Sequence, residues 1–251
     1  MRTRFTARAL AIAAAIAAAV VASASVLAVV SEDVVEGNGL VRSDPANLRF
    51  FIDHRSSMLL DLARNITQLG SFGLLVALAL AATVLLWFKG ARLVLAIAPL
   101  VSLAVGGVVC AVGKQLVGRP RPSLSLRLVR ETEPSFPSGH TTDSTAFYVA
   151  LAIVVGIVLL RRPLARAVVM LASTVISGLV GLSRLVLGVH WPTDVIAGWA
   201  LGLLVALVVT TAAALLAGHP PAEELEGASR LQRAVHRGRR LATRQRVASL
   251  L

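Results

Sequence analysis

Of the 251 residues, 56% are hydrophobic and 15% are charged; a soluble domain carries about a quarter of its residues as charges, so a water-surrounded globular fold is excluded. The formal charge of +12 comes largely from arginines near the two ends and in short connections between apolar runs, which suits membrane orientation better than nucleic-acid binding. The single cysteine, Cys110, lies inside an apolar run; it excludes an intrachain disulfide and a cysteine metal cluster, and reads as a small buried hydrophobe.

A helix rising about 1.5 Å per residue needs about 20 apolar residues to cross a hydrocarbon core about 30 Å thick. In chain order, the stretches 10–30, 72–88, 93–112, 145–160, 164–182 and 195–217 meet or nearly meet that length. They predict an all-α, integral-membrane bundle of six transmembrane helices. The first stretch follows Arg2, Arg4 and Arg8 and passes through Ala22-Ser23-Ala24, which resembles a signal-peptidase site. Because the apolar run continues to Val30, a retained helix is favoured over a cleaved signal; both place residue 31 outside the cytoplasm.

The 31–70 segment alternates charges with the apolar clusters Phe50-Phe51-Ile52 and Met58-Leu59-Leu60. It predicts a short amphipathic helix capped by Ser57 and running to about Leu69. That helix reads either as an interfacial element or as a guide for a lipid tail. The expected organisation is a first transmembrane helix over 1–30, an extracytoplasmic loop over 31–70, a five-helix core over 71–218 and a basic cytoplasmic tail over 219–251. The tail begins with a Pro220-Pro221 break; it reads as a solvated segment or as a binder of anionic lipid headgroups, with no nucleic-acid partner expected.

Basic residues orient the bundle. Arg2, Arg4 and Arg8, then Lys89 and Arg92, then Arg161, Arg162 and Arg166 belong inside, as does the tail. Both termini are therefore expected in the cytoplasm of a cell-membrane protein. Lys114, Arg119, Arg121, Arg127 and Arg130 break this pattern on the expected outer side, and such a conflict asks for a functional cause.

Three polar clusters converge on that outer face. Lys114 and Arg121 place permanent cations on a connection stiffened by Pro120 and Pro122; as an alternative, they are snorkelling interface charges. Pro137-Ser138-Gly139-His140 precedes an apolar helix, so Ser138 is either a plain N-cap or part of an anion cradle of backbone N–H groups at a helix start. Ser183-Arg184 is followed by His190 and, four residues later, Asp194, with Pro192 suited to a first-turn position. Asp194 either caps that helix or holds the His190 imidazole in one tautomer. Arg119 reads as an interface charge.

Lys114-x6-Arg121-Pro122, Pro137-Ser138-Gly139-His140 and Ser183-Arg184-x5-His190-x3-Asp194 resemble the three signature motifs of the type 2 phosphatidic acid phosphatase superfamily, with every motif position filled. The resemblance implies a lipid phosphatase that uses no metal and no cofactor. It implies that His190 is the nucleophile forming a phosphohistidine, that Asp194 orients it, and that His140 protonates the leaving oxygen. It further implies that Lys114, Arg121, Ser138, Gly139 and Arg184 bind phosphate. The expected partner is a lipid phosphate: a prenyl diphosphate first, then phosphatidylglycerol phosphate or phosphatidic acid. A lipid-linked phosphotransferase of the same superfamily is the alternative within this chemistry, and a non-catalytic headgroup-binding protein or transporter is the alternative outside it.

Overall fold

In hydrocarbon a single segment satisfies its backbone polar groups only as a helix, and the apolar runs fold accordingly. The structure, a computed structural model, describes residues 2–218, so the basic tail at 219–251 lies outside the described residues. Contacts divide the chain into Met1–Ala213 and Ala214–Leu251; of the second unit only the end of one helix is described.

The helices are α1 (Arg2–Glu36), α2 (Asp44–Asp53), α3 (Ser57–Gln68), α4 (Phe72–Phe88), α5 (Leu93–Ala96), α6 (Ala98–Val117), α7 (Gly139–Val158), α8 (Pro163–Val186) and α9 (Pro192–Ala217). No strand occurs among the described residues. By length and composition α1, α6, α7, α8 and α9 each suffice to cross a membrane, and the pair α3–α4, bent by 49°, makes a sixth candidate span. The fold is an all-α, multi-pass membrane bundle.

Several boundaries differ from expectation for identifiable reasons. The 93–112 run is broken after a single turn, because Pro99 at the start of α6 lacks an N–H and suits only a first turn. Helix α6 then continues to Val117, which brings Lys114 into its last turn, and Gly118 closes it at φ 59°, donating its N–H to the Lys114 carbonyl at 2.9 Å. Helix α7 starts at Gly139 rather than at 145. Its polar first turns remain helical because the hydroxyls bond carbonyls one turn back: Thr142 Oγ1 to Ser138 O at 2.9 Å and Thr145 Oγ1 to Thr141 O at 2.7 Å. The cap of α3 is Ser56, not Ser57; its hydroxyl accepts from the Leu59 N–H at 3.2 Å. Helix α2 has no counterpart in the expected elements.

Helix α7 is the most enclosed span, 67% buried against 22% for α8, and its neighbours approach through small residues. A Cβ on Gly198 of α9 would stand 2.8 Å from Thr141 Cβ, and one on Gly202 would stand 2.6 Å from Thr142 O. Glycines four apart thus bring α9 against the start of α7, as close helix packing in membranes requires. On the other side, Leu75, Ala79, Leu103 and Phe147 form the α4–α6–α7 core. Helices α2 and α3 lie over the end of α8 and the start of α9: Leu48 packs with Leu185 and Val195, and Ala63 with Val186, Leu187 and Val189. The ends of α6 and α8 therefore meet the starts of α7 and α9 at one end of the bundle.

Candidate active site

The turn between α8 and α9 presents His190. Gly188 adopts φ 71°, and a Cβ there would strike the Leu126 carbonyl and stand 2.6 Å from Arg55 Nη2, so only glycine fits this left-handed position. His190 follows with 1% of its surface exposed, and Pro192 opens α9 as expected. His190 Nδ1 lies 3.3 Å from Asp194 Oδ2, which also accepts the Trp191 N–H at 2.9 Å. On the other side of the ring, Arg121 Nη1 lies 3.1 Å from His190 Nε2. A guanidinium only donates and a carboxylate only accepts, so these partners assign the proton to Nδ1 and leave a lone pair on Nε2.

The three cations singled out in the sequence close around this ring. Arg121 donates Nε to Glu133 O at 2.7 Å and Nη1 to Val189 O at 2.9 Å. Lys114 Nζ donates to Pro134 O at 2.5 Å and lies 3.9 Å from Glu133 Oε2. Arg184, 2% exposed, donates Nη1 to Thr67 Oγ1 at 2.8 Å and Nη2 to Glu131 Oε1, while its buried Nε has no partner among the described residues. His140, at the second position of α7, is within electrostatic range of Arg184, Glu131, Arg121 and Lys114. Ser138 caps α7 without a side-chain cap bond; its hydroxyl accepts from Thr141 Oγ1, and its N–H is committed to the Asp194 carbonyl at 3.1 Å. The first-turn amides of α7, from Gly139 onward, remain the helix-start donors.

Three residues of this cluster escaped the sequence reading. Arg119 is not an interface charge: its side chain is 10% exposed and bridges Asp194 Oδ1 at 2.5 Å and Asp44 Oδ2 at 2.6 Å. Asp44 is buried at the start of α2 and accepts the Thr193 N–H at 3.1 Å. Glu131 pairs with both Arg184 and Arg121. The one available signal was the excess of cations on the outer connection, since so many buried charges require acidic partners. Cys110 is buried beside the Pro137 carbonyl, as its apolar context predicted.

Burial first, then the charges of Arg121, Arg184 and Lys114, hold the His190 imidazolium well below the ordinary histidine range. Burial opposes ionisation of Glu131, but Arg184 and Arg121 outweigh it and keep the carboxyl below its ordinary value. For His190 the sign is definite: the folded ring stays neutral while the unfolded one takes a proton below about pH 6.5. Its contribution to stability is complete above that pH and is lost on acidification. The melting temperature in detergent should therefore fall less between pH 7 and pH 5 for His190→Gln than for the wild type; an equal fall would contradict a neutral buried ring.

Membrane helices closing around a buried imidazole, a carboxylate and a ring of cations define an integral-membrane bundle with a polar, cation-rich centre. Residues 95–215 match the PAP2 superfamily. The crystal structure of a transmembrane PAP2 type phosphatidylglycerolphosphate phosphatase from Bacillus subtilis is similar with a TM-score of 0.71 and 27% identity, covering 76% of this chain and 94% of that one. Phosphatidylglycerophosphatase B of Bacillus subtilis is 39% identical over 98 residues, 38% of this chain and 47% of that protein. Decaprenylphosphoryl-5-phosphoribose phosphatase of Mycolicibacterium smegmatis is 40% identical over 91 residues, 34% of this chain and 42% of that protein. The chain thus spans less than half the length of these two curated relatives.

Proposed function

We propose that the protein is a metal-independent lipid phosphatase that hydrolyses a phosphomonoester or diphosphate of a membrane lipid. A prenyl diphosphate stands first, followed by phosphatidylglycerol phosphate and phosphatidic acid. The observation that carries this reading is the pair of guanidiniums, Arg121 and Arg184, sharing the Glu131 carboxylate beside the His190 Nε2 lone pair, on which Arg121 Nη1 rests. One internal anion sits where a phosphate dianion would be bound. The names of the two curated relatives span both a glycerophospholipid and a prenyl-linked sugar phosphate, which supports the broad substrate class.

In this reading His190 Nε2 attacks phosphorus in line, the bond to the lipid oxygen breaks, and His140 gives its proton to that oxygen. The imidazolium so formed is held by Asp194. Water then attacks the phosphohistidine and gives a proton to His140 as the P–N bond breaks, which releases phosphate, returns the His190 ring to neutral and restores the proton that His140 had donated. Lys114, Arg121 and Arg184, with the first-turn amides at Gly139, meet the charge on the equatorial oxygens; Ser138 serves by shaping that turn. Substrate must draw Arg121 off Nε2 and displace Glu131 as it enters. The site lies on the extracytoplasmic face with both termini inside, because Lys89, Arg92, Arg161 and Arg162 fall in the connections, and Arg166 in the first turn of α8, at the end of the bundle away from it. The basic tail holds anionic headgroups on the inner face.

Purified protein in detergent with a chelator present is expected to release inorganic phosphate from at least one of a prenyl diphosphate, phosphatidylglycerol phosphate and phosphatidic acid. Failure on all three overturns the phosphatase reading.

A further inference from the structure

Asp44 belongs to the N-terminal extracytoplasmic segment, outside the 95–215 region that matches the superfamily, yet its carboxylate is buried, with 1% exposure. Such a group is costly unless it is paired and hydrogen-bonded. Its partners all lead to the site. One oxygen accepts the Thr193 N–H at 3.1 Å; the other accepts the Thr193 hydroxyl at 2.5 Å and pairs with Arg119 Nη2 at 2.6 Å. The second arm of Arg119 reaches Thr193 Oγ1 at 2.8 Å and Asp194 Oδ1 at 2.5 Å. The guanidinium also stands over the Trp191 ring, 5.7 Å from its centroid, and the Trp191 N–H holds the other Asp194 oxygen.

We propose that Asp44 is a positioning residue for phosphoryl transfer, which through Arg119 and Thr193 orients Asp194 and leaves a net negative charge beneath His190. The proposal rests on the phosphatase reading above. Its charge balance is simple. Asp194 and Arg119 alone would cancel, leaving little field for an imidazolium. With Asp44 sharing the guanidinium, the buried trio carries one net negative charge, and attack by Nε2 creates one positive charge on the ring 3.3 Å away. The trio thus favours the phosphohistidine over the free ring, an effect realised as the reaction proceeds rather than on substrate binding.

Asp44→Asn keeps the shape and most hydrogen bonds but removes the charge. We expect kcat to fall about 10- to 100-fold, in the range found for residues that orient a reacting group from behind, with KM changed by less than about threefold because no substrate contact is lost. The yield of trapped phosphoenzyme should fall in step. Combining Asp44→Asn with Arg119→Met should cost little more than Arg119→Met alone, since the two act through one contact. Thr193→Val, which removes the hydroxyl shared by Asp44 and Arg119, provides a second variant if Asp44→Asn does not fold; it should lower kcat severalfold, about the loss expected for one shared hydrogen bond.

The assays use phosphatidylglycerol phosphate and a prenyl diphosphate, with melting temperature recorded for each variant and His190→Ala in parallel. Wild-type kcat per folded molecule in Asp44→Asn, or in Thr193→Val if it must stand in, overturns the inference even where the melting temperature drops, because a merely structural contact moves only the latter. A rise in KM at unchanged kcat overturns it equally. If wild type turns over and His190→Ala does not, such a result removes only the positioning role; if wild type releases no phosphate, the phosphatase reading falls and the inference with it.

Discussion

His190→Ala is expected to abolish phosphate release, by at least about 10⁴-fold, because removal of a nucleophile leaves only binding and charge stabilisation to act on bulk water. The protein is expected to stay folded. Asp194 retains Arg119 at 2.5 Å and the Trp191 N–H at 2.9 Å when the ring is gone, so no carboxylate is left buried and unpaired. The turn is held independently by the Leu128 N–H on the Leu187 carbonyl and by Arg55 on the Val186 carbonyl. His190→Asn fills more of the space and serves as a second variant. Phosphate release is measured per folded molecule, alongside phosphoenzyme trapped by rapid denaturation. Release near the wild-type rate from a monodisperse, normally melting variant would sink the phosphohistidine mechanism.

The second large effect concerns Arg184. Arg184→Lys keeps the charge but loses the planar fork that reaches Thr67 and Glu131 at once and carries the unpartnered Nε. Loss of a transition-state donor of this kind lowers kcat by about 10²- to 10³-fold. The opposite result is expected at Glu131. Glu131→Gln removes the internal anion from between Arg184 and Arg121, so inorganic phosphate and vanadate should inhibit at severalfold lower concentration. Burial alone would make both substitutions harmful, whereas competition for the same guanidiniums makes them diverge. Weaker vanadate inhibition in Glu131→Gln would remove Glu131 from the substrate's path.

Much of this was legible along the chain. The run at 72–88 is α4 to the residue, because no charge interrupts it and the hydroxyl of Thr83 bonds back to the Ala79 carbonyl. The polar start of α7 was not, since Thr141, Thr142, Ser144 and Thr145 look like loop residues until their hydroxyls are seen bonded three or four residues back, to Ser138 and Thr141. Lys114, Arg121, Arg184, His140 and His190 were chosen from their order and spacing, and they do gather at one end of the bundle. Arg119 lies only two residues from Arg121, yet it faces Asp194 rather than Glu131, a difference that no periodicity in an irregular connection announces.

The sequence by itself determined that the chain crosses a membrane as helices and that the motif residues fall at or near the helix ends on one side of the bundle. Each follows from local chemistry: apolar length in hydrocarbon, and charges that resist burial. Only the tertiary structure decided who pairs with whom. Asp44 meets Thr193 across 149 residues, Arg119 meets Asp194 across 75, and Arg184 meets Glu131 across 53. Those encounters depend on α2 being packed by Leu48 against Leu185 and Val195 and on the outer connection folding back over the bundle. Packing of surfaces distant in sequence, rather than any local preference, places the Asp44 carboxylate behind His190.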